Sequence, residues 1–175
     1  MRLFVLCLLL SWCLSLSAQP LSSSDYVLGV GDSIQVLVYD EPDLTIETII
    51  GDDGDINFPF LGDIPISGKT TAQVQQIITQ GLLGDYLLEP SVQVLIVSYR
   101  PFYIHGEVKS PGAYAYHPGL TVDQAIALAG GLTERASEQK IFIKHELNGE
   151  TVIDKVDLTY VLSPGDTVTI KQSFF

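Results

Sequence analysis

Three histidines, His105, His117 and His145, and 21 Asp or Glu are the side chains of this 175-residue chain from which acid-base or metal chemistry would have to be built. The histidines are far apart, none in an HxxxH context, and the two cysteines, Cys7 and Cys13, share no CxxC spacing. A nucleophile with a base and an orienting group, or a metal with ligands at workable spacing, needs more than this. Asp52 and Asp53 form a carboxylate pair, but at a predicted turn, where solvation is the expected role. Asp53, Asp55 and Asn57 have the one, three, five spacing of a calcium loop. The match then fails: Phe58 stands where that loop needs a glycine, and Ile64 where it needs a bidentate glutamate. The residue pattern therefore calls for no catalytic step, no metal and no cofactor.

Recognition of a carbohydrate would need exposed aromatic faces. The only tryptophan, Trp12, lies near the N-terminus, so stacking falls to Tyr99, Tyr103, Tyr114 and Tyr116, with Arg100 beside them. At period two, Tyr114 and Tyr116 share one strand face, which suits either a sugar platform or ordinary cross-strand packing.

The elements that position these residues are legible in the stretch from Ile104 to Thr133. A strand ends in Gly106, and the Pro111-Gly112 pair fits the two central positions of a type II turn, with Gly112 at φ > 0. Thr121 and Gln124 have capping-box spacing, so a helix begins at Val122. Val122, Ala125, Ile126 and Ala129 make one buried face, and Gly130-Gly131 supply the left-handed stop. Upstream, Thr70 and Gln73 repeat the capping box, followed by Val74, Ile77, Ile78 and Leu82, with Gly81 and Gly84 closing the helix. Ile34, Val36 and Val38 alternate as a strand. A second extended segment, 44–50, is expected to turn at Asp52 to Asp55 around Gly54 and pair with 56–59 as a hairpin. Ser91 to Tyr99 is apolar on both faces and reads as an interior strand, broken at Arg100-Pro101. The tail carries Ile141 to Ile143, an Asn148-Gly149 hairpin turn and Thr151 to Val156. Pro164-Gly165-Asp166 before the last strand echoes Val30-Gly31-Asp32 before the first.

Arg2, the apolar run 3–10 and Ser15 to Ala18 read as a secretory signal peptide over residues 1–18. The rival reading makes Cys13 the acylated first residue of a lipoprotein, against which Trp12 stands where a small residue is wanted. Loss of the leader removes both cysteines and Arg2, leaving 8 Lys+Arg against 21 Asp+Glu, a net charge of −13. Such acidity disfavours nucleic acid as a partner. With that much like charge, self-association is expected to grow as salt screens the repulsion.

The order GEVKSPG then LTVDQAIALAGGLT resembles the SLBB domain, the soluble-ligand-binding β-grasp module of bacterial polysaccharide export proteins. YVLGVGDSIQV, DDGDINFPFLGDIPISGKT and LEPSVQVLI are similar to the polysaccharide export domain that precedes it in Wza-type outer-membrane exporters. The resemblance implies an α+β fold of two small docked domains, an N-terminal polysaccharide-export domain (19–100) and a β-grasp-like SLBB domain (101–175). Gly31, Asp32, Gly54, Gly106, Pro111, Gly112, Thr121, Gly130, Gly131, Gly165 and Asp166 are its structural motif residues. The chain ends at Phe175 without the C-terminal helix that lines the pore in the large exporters. By resemblance it is a periplasmic part of a capsule or exopolysaccharide export machinery, peripheral to the outer membrane, acting as a homo-oligomeric ring or scaffold. Its implied partners are itself, the exported polysaccharide, an inner-membrane polysaccharide co-polymerase and an outer-membrane pore protein. The second reading is a carbohydrate-binding module that forms no channel.

Overall fold

The computed structural model describes residues 26–147 and 150–173; the expected leader, the rival reading of Cys13 as a lipidated residue and the expected turn at Asn148-Gly149 lie outside the described residues. The architecture is mixed α+β, with ten strands and two α-helices among the described residues gathered around two separate hydrophobic cores.

The first core lies under a three-stranded antiparallel sheet of β1 (Ser33–Val38), β2 (Ile46–Ile49) and β5 (Val92–Ser98), in the order β2-β1-β5. Alternation decides its inner face: Ile34, Val36 and Val38 are buried, and so are Val92 and Val94 opposite them. Helix α1 (Thr71–Leu82) lays Val74, Ile78 and Leu82 on this core, and Thr70 caps it with the full reciprocal capping box. Gly81 sits inside the last turn of α1 rather than closing it. A Cβ there would fall 2.8 Å from Leu61 Cδ1, so the glycine admits Leu61 against the helix. The left-handed residue past the end is Gly84, at φ 90°.

Two further expectations for this domain are corrected. The segment before the acidic tip does not pair with the segment after it. β2 joins β1, whereas β3 (Asp55–Phe58) pairs with β4 (Gly62–Pro65), and the tip carries the chain from one sheet to another. Asp53 Oδ1 accepts the Asp55 N–H, which shapes this turn locally. Nor is β5 interior: it forms an edge, and its outward apolar residues Leu95 and Val97 are 40% and 50% exposed.

The second core lies between α2 (Val122–Leu128) and a five-stranded sheet. This sheet has the order β7-β6-β10-β8-β9, from β6 (Phe102–Gly106), β7 (Gly112–Tyr114), β8 (Ala136–Leu147), β9 (Glu150–Val156) and β10 (Thr167–Gln172). β10 runs parallel to β6 and antiparallel to β8. Thr121 and Gln124 form the capping box, and Val122, Ala125, Ile126 and Ala129 are buried. β8 and β9 pair out to Leu147↔Glu150.

The Pro111-Gly112 turn is the fourth correction. Gly112 has no positive φ; it is extended and pairs with Ile104 at the start of β7. The chain leaves β6 at Gly106, whose φ is 94° and whose added Cβ would lie 2.1 Å from the Ile170 carbonyl oxygen. No L side chain fits there. The following loop leans on the end of α2 through Lys109 N–H to Gly131 O and Ser110 N–H to Ala129 O.

The two domains share one local device. In each, a buried leucine donates its N–H to the residue before the helix cap, Leu28 to Lys69 O and Leu162 to Leu120 O. The residue before each leucine bridges the capping threonine, Val27↔Thr70 and Val161↔Thr121. A glycine at φ 87° and a buried aspartate then launch the strand. The chain order differs, since the turn precedes α1 but follows α2. The halves are therefore not a simple tandem repeat.

Candidate functional site

The two Gly-Asp turns meet at Arg100, the residue between β5 and β6. Asp32 is fully buried and would be costly as a bare carboxylate. Its Oδ1 accepts the Arg100 backbone N–H at 2.7 Å. Its Oδ2 accepts the Gly29 N–H at 2.8 Å, the Tyr26 hydroxyl at 2.7 Å and Arg100 Nη1 at 3.0 Å. Nη1 also donates to the Tyr26 oxygen at 2.9 Å, and Nε donates to the Pro164 carbonyl of the second domain at 3.1 Å. The guanidinium is thus held between the two turns. Glycines make room for it: a Cβ on Gly29 would meet Nη1 at 2.3 Å, and one on Gly165 would meet Nε at 3.0 Å.

Asp166 occupies the equivalent place in the second turn, where its Oδ2 accepts the Ser163 N–H at 2.8 Å, but it has no cation in contact among the described residues. Burial pushes its carboxyl above the usual range, only partly offset by that N–H, His145 and Arg100. Burial, reinforced by the bond to Asp32, raises the Tyr26 hydroxyl far above its ordinary value.

Aromatic rings continue the junction. Tyr99 stands edge-on to Tyr26, with centroids 4.9 Å apart, and to Tyr116 at 5.5 Å, so one ladder crosses from the first domain to the second. Burial and then Tyr99 raise the Tyr116 hydroxyl. Tyr114 stacks on Phe102 and donates its hydroxyl to the Ser110 carbonyl. Tyr114 and Tyr116 both pack on the second core, while Tyr103 is 48% exposed on the opposite sheet face. The structure therefore gathers Tyr99, Arg100 and Tyr116 and sets Tyr103 and Tyr114 apart. Tyr26 and Gly29 complete the junction without having stood out in the sequence, and Pro164 joins it from the Pro164-Gly165-Asp166 turn whose echo of Val30-Gly31-Asp32 the sequence shows. Gly29 had a signal, the Gly-Val-Gly-Asp spacing; Tyr26 had none of its own.

Beside the junction, a cleft of about 800 Å³ opens between the domains, walled by Val27 to Val30, Ser67, Arg100, Lys144, His145, Tyr160 and Asp166. Its lining mixes hydroxyls, a guanidinium and an imidazole with the apolar side chains of Val27 and Val30. Among the described residues, no three His, Cys, Asp or Glu converge as a metal site, and no helix is long and apolar enough to cross a membrane.

Comparison with known proteins gives two family matches: residues 20–97 fit the polysaccharide biosynthesis/export protein family, and residues 101–153 fit the SLBB domain. The chain is 36% identical over 164 residues to the exopolysaccharide production protein ExoF of Rhizobium meliloti (strain 1021), covering 85% of this chain and 39% of that protein. It is 29% identical over 136 residues to the EPS I polysaccharide export outer membrane protein EpsA of Ralstonia nicotianae (strain ATCC BAA-1114 / GMI1000), covering 63% and 35%. The polysialic acid transport protein KpsD of Escherichia coli is 29% identical over 140 residues, covering 77% and 24%. The chain spans about two fifths or less of the length of these relatives.

Proposed function

We propose, from the premise that this chain belongs to the polysaccharide biosynthesis/export family and carries an SLBB domain, that it is a component of a capsule or exopolysaccharide export path. It acts there as a self-associating ring or scaffold, in the periplasm and against the outer membrane, with no catalytic step of its own. The domain boundary falls at residue 100. The partners are further copies of the chain, the exported polymer, and inner- and outer-membrane components of the same path. The observation that supports this reading best is the joining of an export module to an SLBB module in one chain, with relatives named for exopolysaccharide production and export. The Arg100 junction supports it mechanically. A guanidinium bonded to both turns restrains the domains against each other, as a scaffold part requires.

The test is deletion of the gene in its host with assay of secreted polysaccharide, together with light scattering of the mature protein. Loss of secreted polymer, restored in trans, and a mass of several chains are expected. Normal secretion in the deletion strain overturns the export role, and a strict monomer overturns the scaffold.

The cleft beside Arg100 favours a second reading, a carbohydrate-binding module. Calorimetry against acidic and neutral exopolysaccharides distinguishes it, because that reading requires saturable binding by a monomer.

A further inference from the structure

The sheet of the second domain is covered on one face only. Ile104, Ile141, Ile143, Val168 and Ile170 are buried toward α2, so the residues between them project from the other face. Pairing across the strands sets Thr169, Phe142 and Lys155 in one row, and Thr167, Lys144 and Ile153 in the next. Lys171 lies over the Phe142 ring, its Nζ 4.4 Å from the centroid. Three of the chain's nine Lys and Arg, Lys144, Lys155 and Lys171, thus share one face, with Lys144 also walling the cleft between the domains. Tyr103, 48% exposed, and Ile153, 65% exposed, give it apolar contact area.

The first domain is the electrical opposite. Between Tyr26 and Tyr99 it carries 11 Asp or Glu against one cation, Lys69, and of those acids only Asp32 is buried. The net charge of the chain hides this segregation.

We propose that the lysine face of the second domain is a docking surface for the acidic first domain of another copy of this chain. The contact rests on the self-association proposed above and names its surfaces. It joins two different patches, so it is head-to-tail and can repeat from copy to copy. A second copy is favoured over a polyanionic glycan because the complementary charge is present on every chain. The consequence for salt reverses the expectation from net charge: screening weakens a lysine-to-carboxylate contact, so assembly declines as ionic strength rises.

The experiment mixes mature protein labelled with ¹⁴N and with ¹⁵N and cross-links it with a zero-length carbodiimide. Mixed-isotope links from Lys144, Lys155 or Lys171 to an acid between residues 40 and 89 are expected. In parallel, the Lys155→Glu/Lys171→Glu variant, both positions being exposed, should stay cooperatively folded, with its melting temperature lowered by no more than that of Lys171→Met, which removes only the cation over Phe142, while its half-assembly concentration rises at least about tenfold. Assembly by the variant at the wild-type concentration overturns the docking surface and leaves the export role and self-association standing. A protein that stays monomeric overturns both the surface and the scaffold. If that monomer also binds polygalacturonate, and the double variant does not, the face is a polyanion site instead.

Discussion

Arg100 supplies donors to both carboxylate oxygens of Asp32, its backbone N–H to Oδ1 and its Nη1 to Oδ2, and so couples the end of the first domain to its opening turn. The same side chain reaches Pro164 in the other domain. Arg100→Met keeps the stem but strands a buried carboxylate that still has three other donors. The expected cost is about 2–3 kcal/mol, near the low end for breaking a buried pair, because Arg100 itself is partly exposed. Arg100→Lys should recover only part of it, since an ammonium cannot serve Asp32 and Pro164 together. Urea unfolding checks this, and adding Asp32→Asn to Arg100→Met should recover part of the loss if the uncompensated charge is the cause, the remainder being the backbone N–H of Gly29 or Arg100 that then faces the amide NH2.

Gly106 and Gly112 separate two accounts of how β6 turns into β7. Gly106→Ala places a Cβ 2.1 Å from the Ile170 oxygen at φ 94° and should cost about 3 kcal/mol. Gly112→Ala meets nothing closer than 3.8 Å in an extended strand and should change stability by less than about 1 kcal/mol. Melting curves of equal depression for the two variants would refute the assignment.

That pair also shows what sequence can carry. Capping boxes at Thr70 and Thr121 were legible because their chemistry is complete within four residues. The α2 face was legible because its period is local as well. Pro111-Gly112 is a strong local turn signal, yet Gly112 is drawn out as a strand paired with Ile104, and the chain leaves β6 instead at Gly106, against Ile170 from 64 residues away. Likewise, the apolar run of β5 suggests an interior strand, yet Leu95 and Val97 face outward at a sheet edge. At the junction Arg100 marked a break in the strand pattern, whereas its partners Tyr26 and Pro164 come from 74 and 64 residues away. The echo of the two Gly-Asp turns was visible in the sequence. Their use as two jaws on one guanidinium was not.

The caps predict local and independent losses. Thr70→Ala and Thr121→Ala each remove a side-chain acceptor from the Gln73 or Gln124 N–H and should each cost about 1 kcal/mol. Because the helices pack on separate cores, the double variant should lose the sum. Hydrogen exchange should speed up in the first turn of the altered helix alone; equal acceleration in both helices from one substitution would show that the cores are coupled.

Asp166 gives a stability that depends on pH with a definite sign. Burial raises its carboxyl pKa in the folded chain, so the native state holds that proton more tightly than the unfolded state does. The Asp166 contribution to stability is therefore most favourable below the ordinary carboxylate value. It is lost as pH rises from there through the raised folded value, and above that the ionised side chain carries its full penalty. Asp166→Asn keeps an acceptor for the Ser163 N–H without the charge. The variant should be at least as stable as wild type at neutral pH, with the difference shrinking as the pH falls into the acid range. Urea midpoints measured across that range decide it: a variant less stable than wild type at neutral pH would mean that Asp166 is held ionised by favourable contacts.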